Sequence, residues 1–490
     1  MRTLYAPTSS ERSTPLSKRV IATIILMVAM FMDLMDSTIT NVALPSIGAD
    51  LDANPAQLEW TLAGYVIAFA TLLITGGRLG DVAGRRRVFV IGVAGFTLAS
   101  LFASLAQSGD VLVATRIVQG AFAGVMVPQV LSSIQVMFSP SERGPILGIT
   151  GALSALGAVA GLLFGGWLVT ANVFETGWRS IFLVNIPIGI VLIIVALVVV
   201  PDSRLEHALK LDIAGVVLGA LAVFLVVFPL TDGRQAGWAW WIWAMLIAAP
   251  FAIAAFIVHQ KRRLARDGSA LLPMPLFRNH GFSSGLVVQV LSSVGNGGYA
   301  LILLFYVQQA LGFTALSAGI TILPIAIGSM VATGIAVPLA RRFGKSLVLV
   351  GGLVQAGAFG WAVLVIGSRG TSLTGWDLAI PLGLAGVGMM LLVMPLMGLT
   401  LATVPTTEAG AASGTLTTFG QIGMVLGVAI AGAVYFGMVG MHPTVASARD
   451  AVTAGLWVPI TAYLLAGAAA LAMPRMLQQR ASEPAALVAS

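Results

Sequence analysis

Asp33, Asp36 and Arg116 are the side chains that carry chemistry in a chain that otherwise reads as hydrocarbon. Both aspartates fall inside the apolar run from Val20 to Leu44. A charge at a bilayer centre costs at least about 2.5–3.5 kcal/mol, so such carboxylates face a protein interior or a water-filled path. Spaced three apart, they share one helical face within reach of each other. Two neighbouring carboxylates resist ionising together, so the pair is expected to take up and release a proton as a unit. That is what a proton carrier requires; the alternative is a permanently protonated acid hydrogen-bonded to a neighbouring helix. Arg116 keeps its proton and needs a carboxylate, carbonyl or water partner. It either sets the protonation of the aspartate pair or snorkels outward from a helix end. The remaining acidic residues fall in predicted loops, tails or terminal turns of spans.

The elements that hold these groups follow from composition. The 490 residues are 58% hydrophobic and 9% charged, with a mean hydropathy of +0.97. So little charge cannot cover a water-soluble fold of this length, and the chain reads as an all-α polytopic membrane protein. The net charge of +7 is spread among short segments between apolar runs, which points to anionic lipid headgroups rather than nucleic acid. The absence of cysteine excludes disulfides and thiolate chemistry. His207, His259, His280 and His442 fall outside the predicted spans, so an internal metal site is not expected. No phosphate-binding loop and no nucleophile–base pair is visible, and no cofactor is implied.

Apolar runs of about 17–25 residues cross roughly 30 Å of hydrocarbon. Fourteen transmembrane helices are predicted near 20–44, 59–79, 88–107, 111–138, 144–170, 180–200, 211–231, 238–258, 281–311, 317–340, 346–367, 377–404, 410–440 and 451–474. The first is too long, and lacks the cleavage site, for a removable signal peptide. Lys and Arg alternate between the two sides: with Arg116 set aside, only Arg179, Arg234, Arg369 and Arg449 fall in odd-numbered connections. Positive charge is retained on the cytoplasmic side, so both termini are expected there.

The chain also repeats. Gly77-Arg78-Leu79-Gly80-Asp81-Val82-Ala83-Gly84-Arg85 has a degenerate echo in Val337-Pro338-Leu339-Ala340-Arg341-Arg342-Phe343-Gly344-Lys345. Duplicated halves are a mark of transporters. The expected organisation is an N-terminal tail (1–19), a six-helix bundle (20–200), an inserted helix pair with a basic connection (201–280), a second six-helix bundle (281–474) and a C-terminal tail (475–490). Both tails are expected to be cytoplasmic. Pro273 and Pro275 make part of the connection non-helical.

These residues resemble the fourteen-spanner drug:proton antiporter family of the major facilitator superfamily. Met35-Asp36-Ser37-Thr38-Ile39-Thr40-Asn41-Val42-Ala43-Leu44-Pro45 is similar to its first-helix signature, and Gly77 to Arg87 to the superfamily's loop between helices 2 and 3. Arg116-Ile117-Val118-Gln119-Gly120 resembles the fourth-helix motif, and Trp178 to Gly189 the sixth. Similarity continues at Tyr306-Val307-Gln308-Gln309 and Ala411-Ala412-Ser413-Gly414. The resemblance implies a major facilitator fold with two six-helix bundles plus two inserted helices. It implies a multi-pass protein of the inner (plasma) membrane, not an enzyme, that exports drugs or natural products in exchange for protons. By the same resemblance Asp81, Gly84 and Arg85 form a conformational latch, while Arg86 and Arg87 mostly set topology.

Departures from the pattern carry information too. Leu162 replaces the proline usual in helix 5, which puts bending there in doubt. Gly157, Gly161 and Gly165 still recur every four residues and admit a neighbouring backbone. Gly420 stands where an arginine is common, and Arg341 stands where the first loop has Asp81, so the two loops cannot be equivalent locks.

In helix 9, Ser292-Ser293-Val294-Gly295-Asn296-Gly297-Gly298-Tyr299 places polar and small residues in mid-membrane. A hinge or unwound segment lining a cavity and a close-packing seam are both open. Asn41, Gln119, Gln289, Asn296, Tyr299 and Gln421 are the expected substrate contacts. The expected partners are protons, membrane lipids and a lipophilic, cationic small molecule carried by alternating access, with the protein a monomer. The alternatives are a lipid or lipid-like metabolite transporter on the same fold, an importer, an intramembrane enzyme and a passive channel.

Overall fold

The computed structural model describes residues 16–138, 157, 160–172, 175–203, 211–233, 236–272, 274–404, 409–439 and 444–474. Along them run the helices α1 (Leu16–Leu51), α2 (Pro55–Ala83), α3 (Arg85–Ser104), α4 (Gly109–Met137), α5 (Ala160–Ala171), α6 (Gly177–Val199) and α7 (Ile213–Asp232). They are followed by α8 (Trp240–Asp267), α9 (His280–Phe305), α10 (Ala315–Phe343), α11 (Lys345–Arg369), α12 (Ala379–Leu401), α13 (Ala409–Val439) and α14 (Val445–Ala470). Among the described residues, 13 helices are long and apolar enough to cross a membrane. The remaining one, α5, covers the end of the span expected at 144–170; apart from Gly157, the earlier part of that span lies outside the described residues.

Local signals explain the helix ends. Asn54 caps α2, accepting from the Gln57 amide while the Gln57 side chain accepts from the Asn54 amide, with Pro55 at the first helical position. Ser108 caps α4, Asn279 caps α9 and Thr314 caps α10, each accepting from a backbone N–H of the first turn. Gly84 and Gly344, the matching glycines of the repeated loop, each end one helix and start the next with positive φ, 100° and 52°. That backbone conformation favours glycine.

The chain divides into two compact units, Met1–Ala220 and Leu221–Ser490. Within the first, α2 lies along α4, α3 packs on α4 and α6, and α1 packs on α6. Within the second, α10 lies along α12, α11 packs on α12 and α14, and α9 packs on α13 and α14. The same helix pairings therefore recur eight helices later. The first core gathers Leu26, Met32, Phe89, Phe96, Met126 and Leu192; a core of the second gathers Val288, Val348, Leu392, Leu396 and Ala466.

Of the two readings open for helix 9, the structure has the close-packing seam. Helix α9 is unbroken through its glycines and ends in a wider π turn at Tyr306–Ala310. A Cβ on Gly297 would sit 2.1 Å from the Met424 carbonyl oxygen, and one on Gly427 2.0 Å from that of Val294. The glycines let α9 and α13 meet backbone to backbone, which is the close-packing reading. Helix α8 continues to Asp267, past the apolar run expected near 238–258. His259 and the basic cluster Lys261, Arg262, Arg263 and Arg266 form its last turns, so the first part of the basic connection is helical. Long basic side chains at a span's end reach headgroups without breaking the helix, and α8 stops at Gly268, where φ is 72°.

Candidate functional site

Helix α1 carries both aspartates, 7% (Asp33) and 0% (Asp36) exposed, but they have separate partners. Asp36 lies in a cage built from four helices. Arg116 of α4, 1% exposed, donates from Nη1 to Asp36 Oδ2 at 2.6 Å. Oδ1 accepts from Gln119 Nε2 at 2.9 Å and from Asn185 Nδ2 of α6 at 2.7 Å. Arg116 also donates to Gln119 Oε1 (2.7 Å) and, from Nε, to the Thr61 carbonyl of α2 (3.2 Å). Ser100 of α3 accepts from Gln119 at 2.9 Å and from Asn185 at 3.3 Å. Arg116 therefore does not snorkel: it is an internal cation with a carboxylate, an amide and a carbonyl around it.

Asp33 has a simpler environment. Its Oδ1 accepts a hydrogen bond from the Tyr65 hydroxyl of α2, and among the described residues its Oδ2 takes none. The Tyr65 ring in turn lies under the Arg116 guanidinium, 4.2 Å from its centre. An arginine over a desolvated aromatic face gains about 2 kcal/mol. The tyrosine thus stands between the two carboxylate environments.

Helix α5 packs directly on the α1 segment that bears the aspartates. A Cβ on Gly157 would meet Phe31 at 3.3 Å, one on Gly161 would meet Thr38 Cβ at 2.7 Å, and one on Gly165 would meet Ile39 Cγ1 at 2.1 Å. Beside the other end of α2, Asp81 and Arg85 pair at 2.8 Å across Gly84. Arg85 also donates to Ser203 Oγ at 3.1 Å, its amide donates to the Ser203 carbonyl at 3.1 Å, and Arg87 faces Asp202 at 3.7 Å. The loop is therefore tied to the segment that follows α6. The Arg341 side chain of the echoing loop lies outside what is described.

The expected substrate contacts fall in both units, Asn41 and Gln119 in the first and Gln289, Asn296, Tyr299 and Gln421 in the second. Gln119 is buried, with both ends of its amide engaged in the Asp36 cage. Asn41 donates back to the Ser37 carbonyl at 2.8 Å. In the second unit, Asn296 accepts from the Tyr463 hydroxyl at 2.8 Å, and Tyr299 packs against Phe359, ring centroids 5.0 Å apart. Gln289 donates to Ser293 at 3.3 Å, and Gln421 is half-buried.

Tyr65, Ser100 and the Thr61 carbonyl were not singled out from sequence, and neither was Asn185, although it lies within the sixth-helix motif. Nothing in a single chain pairs Ser100 with Gln119; the signal available was a polar residue inside an apolar run. Glu59, placed by sequence at a helix end, is buried in the second turn of α2.

Long apolar helices in two units of repeated pairing, the first holding an internal ion pair, make this a polytopic membrane protein. The Major Facilitator Superfamily profile matches residues 26–428, and the chain belongs to that family. It is 37% identical over 436 residues, 88% of this chain and 75% of the relative, to a probable actinorhodin transporter of Streptomyces coelicolor. It is 32% identical to the tetracenomycin C resistance and export protein of Streptomyces glaucescens, covering 84% of this chain and 75% of that one. The fold resembles the solved structure of a bacterial homologue of the human drug peptide transporters, with a TM-score of 0.67, 14% identity, and coverage of 93% of this chain and 98% of that one. Such relatives are those expected for the drug:proton antiporter family that the motifs resemble, and the protein is a multi-pass transporter of the cell membrane.

Proposed function

We propose that the protein exports a lipophilic natural product or drug, cationic in class, in exchange for protons by alternating access. The observation that carries this reading is the pair of aspartates in α1, one caged by Arg116 and the other held by Tyr65, in a chain whose relatives are export and resistance proteins. Proton binding at α1 and substrate binding favour different conformations, which is the minimum condition for coupling. The Asp81–Arg85 pair acts as a latch that holds one of them. The two six-helix bundles, 20–200 and 281–474, are the bodies that rock, with α7 and α8 as an inserted pair. Both termini lie in the cytoplasm, a reading supported by the distribution of Lys and Arg.

The test is efflux of ethidium, a fluorescent lipophilic cation, from proteoliposomes under an imposed pH gradient. Gradient-driven efflux in the parent that is lost in Asp33→Asn or Asp36→Asn, with the protein still folded, supports the reading. Export that ignores the gradient, together with transport of fluorescent phospholipid, would replace it with a lipid transporter on the same fold.

A further inference from the structure

The donor and acceptor inventory of the two aspartates separates their roles. Asp36 accepts three N–H bonds: Gln119 and Asn185 on Oδ1, Arg116 on Oδ2. These three N–H donors, from α4 and α6, face both carboxylate oxygens. Asp36 is closed to solvent, with 0% exposure.

Asp33 is arranged differently. Tyr65 donates to Oδ1, and Oδ2 is left without a donor among the described residues, on a side chain that keeps 7% exposure. A proton can join Oδ2 while the Tyr65 bond stays in place. The O–H bond formed there would take its proton from solvent and return it to solvent, with no protein donor having to move. The charged and titratable groups facing Asp33 are Tyr65 from α2, Arg116 from α4 and Asp36 on its own helix. Helix α5, which packs against the same stretch of α1, carries none over Ala160–Ala171.

We propose that Asp33 is the proton-exchanging carboxyl, Asp36 is the clamp that holds Arg116, and Tyr65 is the positioning residue that holds Asp33 in both states. This rests on the proton-coupled reading above and assigns the proton to one residue of the pair.

The experiment is an infrared titration of the purified full chain in lipid nanodiscs, following the carbonyl band of a buried protonated carboxylic acid as pH is varied. It needs no substrate. The expected result is a titrating band in the parent that disappears in Asp33→Asn and persists in Asp36→Asn. Tyr65→Phe moves its midpoint, while Tyr435→Phe, a buried tyrosine of the second unit, leaves it in place. Should Asp36→Asn fail to fold, Asp33→Asn and Tyr65→Phe still decide. A band that survives Asp33→Asn, an unmoved midpoint in Tyr65→Phe, or no titrating band in the parent overturns the assignment. The proton-coupled reading fails separately: if the band behaves as expected but ethidium efflux ignores the pH gradient, Asp33 titrates without driving export.

Discussion

Tyr65 touches both charged systems of the first unit: its ring lies 4.2 Å from the centre of the Arg116 guanidinium, and its hydroxyl meets Asp33. The two contacts can be separated by substitution. Tyr65→Phe keeps the ring under Arg116 and removes only the hydrogen bond, at an expected cost of about 1–3 kcal/mol for a buried acceptor left unpaired. Tyr65→Leu removes both and should cost about 2 kcal/mol more. Denaturant unfolding in detergent measures the difference; equal losses would mean that the ring contact contributes nothing.

The Asp36–Arg116 pair is buried on both sides, so removing one partner leaves an uncompensated charge. Asp36→Asn and Arg116→Gln are each expected to destabilise by about 3–5 kcal/mol. The double variant should recover much of that loss while transport stays low. A double variant as unstable as the sum of the singles would show that the two side chains do not act as a pair.

The contact between α5 and α1 is limited by the size of one side chain. Gly165→Ala forces a methyl into Ile39 and should cost about 1–3 kcal/mol by overpacking. Adding Ile39→Ala removes the atom in the way and should restore part of the loss. Gly360→Ala on α11, where a Cβ meets nothing within 4 Å, is the control and should be close to neutral. Thermal unfolding of the four proteins ranks them.

The Asp81–Arg85 pair is half exposed on the aspartate side, so its contribution to stability is small, about 0.2–1 kcal/mol. Asp81→Asn is therefore expected to leave the unfolding midpoint almost unchanged while lowering turnover at least about tenfold, a difference of about 1.4 kcal/mol in the barrier. Initial rates of ethidium efflux at saturating substrate, beside thermal melts, separate latch from scaffold. A large stability loss with unchanged turnover would assign the pair to the scaffold.

Asn296 is held by Tyr463, which gives it two possible uses. If it contacts substrate, Asn296→Ala should change the ranking of exported compounds. Tyr463→Phe, which removes one hydrogen bond at about 1 kcal/mol, should lower stability without changing the ranking. Resistance profiles of cells expressing each variant, read beside melts of the purified proteins, test this; unchanged profiles in both would make the pair a structural tether.

Much of the fold was legible because lipid imposes strict rules. Every span must satisfy its backbone internally, so the apolar runs alone located the helices, and the repeated loop anticipated matching glycines at Gly84 and Gly344. What one dimension lacks is the partner. The three-residue spacing of Asp33 and Asp36 put both on one face, but not Tyr65 beside one and Asn185 beside the other, since those come from helices α2 and α6. The same limit applies to α9: glycines in a row fit a hinge or a seam equally, and only the position of Met424 and Val294 on the facing backbones decided it. The length of α8 was underestimated because charge ends a hydropathy run before it ends a helix.

Helix α8 runs 28 residues from Trp240 to Asp267, about 42 Å at the usual rise, against a hydrocarbon layer of about 30 Å. Trp240, 81% exposed, and Trp243 mark one end, Lys261 to Arg266 mark the other, and outward-facing Ile247, Phe251 and Ile253 fill the middle. Indoles settle at the headgroup layer and basic side chains reach for phosphate. Such a helix is a gauge of membrane thickness: in a thinner bilayer it must tilt, and the segments joined to its two ends must tilt with it.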